Sequence, residues 1–393
     1  MKILIISSYL PFPLYSGGQV RLYNIIKGLS KKHEITLICE KRSSQTENDI
    51  KEMEKICKKV ITVDRKKQWS YSNILKTGFS LNPFLITGHT LSEMQAKIQH
   101  ELESDRYDLI HIETFYVMQN LPETDIPTVL VEHNIEYLVY KRYADESLLL
   151  TKPLLYLDVE KMKIKEKGAW KKASKLVAVS EVEKKIMTRR DAVVIPNGVD
   201  TEKYQVHGSK LSPRVKEEIT ILYIGDFSWI QNRMAVKWLL TEIWPRIMSK
   251  TNLPKLKLWV VGRKIPDDIK NLGAENVVFD ENAPDTVKIY ENSDILIAPI
   301  RVGGGTSFKI LEAMATGVVV VTTDLGIEGI EAKEKVDFLL GNDSWLLADA
   351  VIDLVQNCDL RMKIAKNARK LMERKYDWER IVEMLELVYK SVV

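Results

Sequence analysis

APIRVGGGTSFKILEAMATGVVVVTT, residues 298–323, sets three consecutive glycines between one short apolar run and a helical one, then closes on a second apolar run. The flanking runs, ILIAPI and VVVVTTD, are short and apolar throughout. Strands covered on both faces of a parallel sheet read this way. Strand, glycine turn, helix and strand make an α/β unit, and such units bind ligands beyond the carboxyl ends of their strands.

The same alternation extends in both directions. Upstream of a polar stretch, TEKYQVHGSKLSPRVKEE, lie KILIISS, EITLICE, DLIHIE, TVLVEHN, KLVAVS and AVVIPNG. Downstream lie ITILYIGD, LKLWVVG, NVVFD, ILIAPI and VVVVTTD, again with helical patterns between them. Two doubly wound α/β domains are therefore expected, at residues 1–200 and 201–376, with ligand in a cleft between them. Residues 377–393 then form a final helix that Asp377 caps and that packs back on the first domain.

Composition narrows the function. The 393 residues exceed what one core usually serves. A formal net charge of +4 argues against a general nucleic-acid footprint. Three scattered cysteines suggest neither a disulfide framework nor a zinc cluster. The first strand lacks the long apolar core of a signal peptide, no run suffices to span a bilayer, and a cytoplasmic location is expected. One stretch, Lys161 to Lys175, carries seven lysines and Trp170. It reads as a solvated helix face or as a helix resting on the inner face of a membrane.

The glycine segment carries the chemistry. Gly303, Gly304 and Gly305 let backbone N–H groups approach a ligand, and Thr306 and Ser307 lead into a helix whose positive end faces the same point. Arg301 and Lys309 add cations suited to paired phosphates. Glu312, inside an otherwise apolar helix, is costly without hydrogen-bond donors, and a ribose diol supplies two. A flexible turn with surface cations is the bland alternative. In the first half, Gly17 and Gly18 open a helix at a strand end, with Arg21 one turn on. His133 ends the strand TVLVEH beside Asn134 and Glu136, and His111 occupies a similar place.

In this order the segments PLYSGGQVRLYNIIKGLSKKHEITLI, LVEHNIEY, LVAVSEVEKKIM, VVIPNGVDTEKY, YIGDFSWIQNRMAVKWL, VVGRKIP, the glycine segment and YDWERIV resemble the family 4 (group 1) retaining glycosyltransferases of the glycogen-synthase-like GT-B group. The resemblance implies two Rossmann-like domains and transfer of a sugar from a nucleotide-diphosphate donor to a saccharide or lipid-linked acceptor, with retention. It implies catalytic roles for His133, Arg301 and Lys309. Donor contacts fall to Gly17, Gly18, Ser228, Gly303, Gly304, Gly305, Thr306, Ser307 and Glu312.

Two departures stand out. The family often places a first glutamate eight residues before Glu312, where this chain has Gly304. It also lacks the basic pair that relatives carry after the strand ending in GDFSWIQN, so Arg301 and Lys309 are expected to substitute. Ser228 and Asn232 are then expected to line the donor side, with core packing expected of Trp229. No cofactor is implied, and without an Asp-x-Asp element or metal-ligand spacing no metal either. The alternatives are an epimerase handling the same donor and a non-catalytic protein of the same fold.

Overall fold

Apolar strands that alternate with helices pair in parallel, because each crossover returns the chain to the same end of the sheet. In the computed structural model, which describes all residues except 67, 69, 79, 188, 207–216, 251, 252, 284, 303 and 304, the chain forms two such sheets. The first contains β1 (Lys2–Ser7), β2 (Glu34–Lys41), β3 (Lys59–Asp64), β4 (Leu109–Glu113), β5 (Thr128–Glu132), β6 (Lys175–Ala178) and β7 (Val193–Val194), in the order β3-β2-β1-β4-β5-β6-β7. The second contains β8 (Glu218–Ile224), β9 (Lys255–Val261), β10 (Val277–Asp280), β11 (Ile295–Ala298), β12 (Val319–Thr322) and β13 (Leu339–Leu340), in the order β10-β9-β8-β11-β12-β13. Every strand pair is parallel.

Both sheets reverse winding direction at their first strand. The crevice at that reversal opens beyond the carboxyl ends of β1 and β4 in one sheet, and of β8 and β11 in the other. In register, Ser7 stands beside Glu113, and Ile295 and Leu296 beside Ile221 and Leu222. The elements read from sequence are present, and β3 and β13 are additional. β3 is KVITVD, in which only Val63 is buried, so it lacks a full apolar run. β13 has two residues.

The chain divides into a first unit, Met1–Pro196 with Ile381–Val393, and a second, Asn197–Arg380. In the first, Leu4, Ile6, Ile110, Ile112 and Leu130 form the sheet's contribution to a core that Met94, Met162 and Trp170 complete from its helices. The second has a core on each face of its sheet: Ile221, Leu258 and Ile297 point to one, Leu222, Leu296 and Val320 to the other. That alternation is the pleat of a strand covered on both sides.

The helix Phe308–Ala315 buries Ile310, Leu311, Ala313, Met314 and Ala315, which leaves Phe308, Lys309 and Glu312 half-buried. Arg369, from the helix Cys358–Leu371, fastens that helix's far end, donating to the carbonyls of Ala315, Tyr204 and Thr201 at 2.6, 2.5 and 3.0 Å. The helix Trp378–Lys390 starts at Asp377, whose Oδ1 accepts from Glu379 N at 2.8 Å as an N-cap does. Its later residues belong to the first unit, where the Tyr389 hydroxyl lies 2.5 Å from His111 Nδ1.

Candidate functional site

In the second unit, the reversal point gathers residues from four elements. The Glu312 carboxylate accepts from the Tyr204 hydroxyl on Oε1 and the Tyr290 hydroxyl on Oε2, each at 3.0 Å. Thr286 Oγ1, 2.9 Å from the Tyr204 oxygen, extends the chain of hydroxyls. Burial raises the Glu312 pKa, and the two tyrosines oppose that rise. Each oxygen retains a lone pair, so the tyrosines fix the carboxylate's plane while leaving it able to accept from a bound diol.

One turn earlier, Lys309 Nζ donates to Asn232 Oδ1 at 2.9 Å and lies 4.9 Å from the centre of the Tyr223 ring. Burial pushes its pKa down to about 8, against the pull of Glu312. Asn232 is itself fixed: its Nδ2 donates to Asp226 O at 2.8 Å, and Tyr223 donates to its carbonyl at 3.0 Å. Gly225 admits it, since a Cβ there would come within 2.8 Å of the Asn232 side chain.

The glycine loop leads into this helix. Gly303 and Gly304 lie outside the described residues. Gly305 has φ +80°, a left-handed conformation that glycine adopts without strain. The Thr306 hydroxyl is buried with no hydrogen-bond partner among the described residues. Ser307 is the N-cap, its side chain makes no capping bond, and the first turn carries no acid. That turn therefore carries a cation, Lys309, and no side-chain anion to face its N–H groups. Arg301, exposed at the end of β11, stacks its guanidinium 4.0 Å from the Trp238 ring centre.

In the loop after β8, Ser228 is exposed, its N–H donating to Asp226 Oδ1 at 2.9 Å. Trp229, expected in the core, is 56% exposed, because it caps the helix Ile230–Trp238 from outside and the core position falls to Phe227.

In the first unit the equivalent crevice holds a buried charge cluster. Glu113, at the end of β4, accepts from His111 Nε2 at 2.7 Å and from His133 Nε2, with Arg21 Nε 3.8 Å away. Burial alone would raise the Glu113 pKa, but the charge of His133 and the hydrogen bonds from both histidines hold it well below the usual carboxylate range. His133 is the member that reaches the surface. A Cβ on Gly18 would stand 3.5 Å from His133 Cε1 and 3.0 Å from the Tyr9 hydroxyl, so Gly18 leaves these two side chains room. Gly17 begins the helix Gly17–Leu29, whose N-cap Ser16 makes no side-chain capping bond.

Three polar residues noted near this crevice in the sequence are held within the fold. Arg21 is 1% exposed and donates to Ile195 O and Pro196 O at 2.9 and 2.8 Å, because its helix packs on the strand-end segment that carries those carbonyls. His111 is fully buried between Glu113 and Tyr389. Glu136 starts the helix Glu136–Glu146 in a buried acidic group with Glu166, which accepts from the N–H of Glu136 and Tyr137 at 2.8 and 3.0 Å. Trp170, read as part of a lysine-rich face, is buried and donates to Glu132 at 3.0 Å.

Tyr9 and Tyr290 were not read from the sequence, and Glu113 and Tyr204 only as the last letters of DLIHIE and VVIPNGVDTEKY. Among the described residues, no group of three or more His, Cys, Asp or Glu is placed to hold a metal ion. No described helix is long and apolar enough to cross a membrane.

Comparison with known proteins finds two family profiles on the chain. "Glycosyltransferase Family 4" matches residues 15–203 and "Glycosyl transferases group 1" matches residues 218–357. An uncharacterized 44.6 kDa protein of the Klebsiella pneumoniae cps region is 23% identical over 97% of both chains. Phosphatidyl-myo-inositol mannosyltransferase of Mycobacterium tuberculosis is 27% identical, the match spanning 51% of this chain and 54% of that one. Among solved structures, sucrose-phosphate synthase from Thermosynechococcus elongatus superposes with TM-score 0.70 at 17% identity, covering 100% of this chain and 99% of the other. Anabaena HepE in complex with UDP superposes with TM-score 0.67 at 18% identity over the full length of both.

Proposed function

Because this chain belongs to the group 1, family 4 glycosyltransferases, we propose that it moves a sugar from a nucleotide-diphosphate donor to a hydroxyl of a saccharide or lipid-linked acceptor, with retention, in the synthesis of a cell-surface polysaccharide or glycolipid. The observation that carries this reading is the placement of Lys309 and Glu312 on one half-buried edge of the helix Phe308–Ala315. The ammonium stands where two phosphates would meet the helix's positive end, and the tyrosine-held carboxylate stands where the ribose hydroxyls would follow.

In this reading the bond between the sugar's anomeric carbon and the diphosphate oxygen breaks while the acceptor oxygen bonds to the same face. The acceptor's proton passes to the departing diphosphate. Lys309, the first-turn N–H groups and Arg301 take up the negative charge that grows on that diphosphate, so protein groups do the work a metal ion would otherwise do. His133, oriented by Glu113 through Nε2, is the surface-reaching member of the first unit's charge cluster and the one able to meet a ligand there. HepE with UDP and with UDP-glucose supports a uridine donor, and the capsule-region relative supports a polysaccharide product.

Calorimetric titration with UDP, GDP and ADP tests the donor site. One diphosphate should bind in the micromolar range, and Glu312→Ala should weaken it by about tenfold or more, the loss of a hydrogen bond to a charged group. No binding of any of the three, or equal binding by the variant, would remove the site. Slow isomerisation of the donor sugar without acceptor would point to an epimerase.

A further inference from the structure

The helix Lys152–Lys172 of the first unit buries Val159, Met162, Ala169 and Trp170 on one side. Its opposite side is apolar as well, with Leu154, Leu157 and Ile164 79%, 59% and 69% exposed. Spacings of three and seven place these on one stripe. The chain entering the helix continues it, since Leu148, Leu149 and Leu150 are 79%, 81% and 95% exposed. Lys161 ties a second segment alongside by donating to the carbonyls of Thr77 and Ser80 at 3.0 and 2.8 Å, which brings up the exposed Leu81. Where the stripe ends, Ile164, Lys165 and Lys172 border a groove of about 330 Å³ lined by Ile86, Phe115 and Met118. A contiguous apolar surface of this kind marks an interaction site.

Charge identifies what covers it. Residues 65–92, which carry Leu81, contain no Asp or Glu. The helix adds Lys163, Lys165, Lys167, Lys171 and Lys172 along its second half. A second copy on this face would set cation against cation, whereas an anionic bilayer offers hydrocarbon to the leucines and phosphate to the lysines. We propose that this face docks the first unit on an anionic lipid surface, with Leu148, Leu149, Leu150, Leu154 and Leu81 entering the headgroup boundary and Lys165 and Lys172 meeting lipid phosphate. The inserting part is thus the leucine-rich entry to the helix, not the lysine run after it. The inference stands apart from the sugar-transfer reading, since none of these residues belongs to either crevice.

Sedimentation of the full chain with phosphatidylcholine vesicles, with and without phosphatidylglycerol, tests it. The chain should pellet with the anionic vesicles and less so as salt rises. A variant combining Leu149→Glu, Leu150→Glu and Leu154→Glu should lose at least about tenfold in partitioning, and Lys165→Glu with Lys172→Glu should also lose binding. Both variants alter exposed side chains, so circular dichroism and nucleoside-diphosphate affinity should match the parent. Failure of the wild type to pellet with anionic vesicles would overturn the proposal, as would pelleting of the leucine variant to the same extent. So would a wild-type dimer that the leucine changes dissociate while vesicle binding persists, because the face would then be a protein interface.

Discussion

Lys309 occupies a position where a cation is least welcome: the first turn of a helix, partly withdrawn from water, with no acid in that turn. Its pKa, pushed down to about 8, measures that discomfort. A diphosphate would relieve it, so binding should take up a proton where the free ammonium has lost one. Nucleoside-diphosphate affinity should therefore decline as pH rises from 7 toward 9.5, a window set by a free-protein pKa of about 8. Lys309→Met should abolish most of that decline and lower turnover by about 10²- to 10³-fold, as loss of one charge-stabilising group does. Identical pH profiles for variant and parent would sink the assignment. Glu312 depends on its supports in the same way. Tyr290→Phe deletes one of its two donors and should weaken diphosphate binding by about five- to tenfold in calorimetry, the size of one hydrogen bond of roughly 1 kcal/mol. Lys309 and Glu312 can be picked out in the sequence because they are neighbours one turn apart and their chemistry is local. Tyr204 and Tyr290 cannot, since they arrive from 108 and 22 residues away and no pattern in the chain announces such a meeting.

At the scale of elements, the strands were legible wherever burial on both faces produced an unbroken apolar run. β3 escaped because only one of its six residues is fully buried. The loop after β8 escaped for a different reason: FSW offers two aromatic residues for one core position, and only packing decides that Phe227 takes it and Trp229 stays in water. The start of the last helix was legible, because an Asp before an apolar helical period is a local signal. Its full role was not. Asp377 Oδ1 caps the helix, while Oδ2 accepts from Thr201 N at 3.3 Å and from the Thr201 hydroxyl, joining the helix start to the segment that leads to Tyr204. Asp377→Ala removes all three bonds. It should lower stability by about 1–2 kcal/mol, a cap plus a side-chain hydrogen bond, seen as a fall of a few degrees in the calorimetric transition. An unchanged transition would mean that Thr201 and the helix start are held by other contacts.

Across the molecule, the first unit carries two buried carboxylate groups with opposite pH behaviour. Glu113 is held ionised by its histidines, so its pKa is depressed. Its contribution is complete above the unfolded value and is lost only as pH falls into the acid range, so between pH 5 and 8 it is ionised in both states and adds no slope. Glu166 is the reverse. Burial pushes it up to about 8, against the N–H bonds from Tyr137 and Glu136, and burial and the nearby Glu166 likewise raise Glu132. An unfolded glutamate releases its proton near pH 4.3, whereas the native chain keeps one on Glu166 to about pH 8. Between those values the native state binds more protons than the unfolded state, so this group's contribution is present at low pH and is lost as pH rises toward 8. The temperature of unfolding should accordingly fall from pH 5 to 8 more steeply in the wild type than in Glu166→Gln, whose amide cannot titrate yet still accepts a backbone N–H. Scanning calorimetry at pH 5, 6.5 and 8 gives that difference directly, and two parallel curves would show that the buried group is held by charges elsewhere in the unit and not by burial.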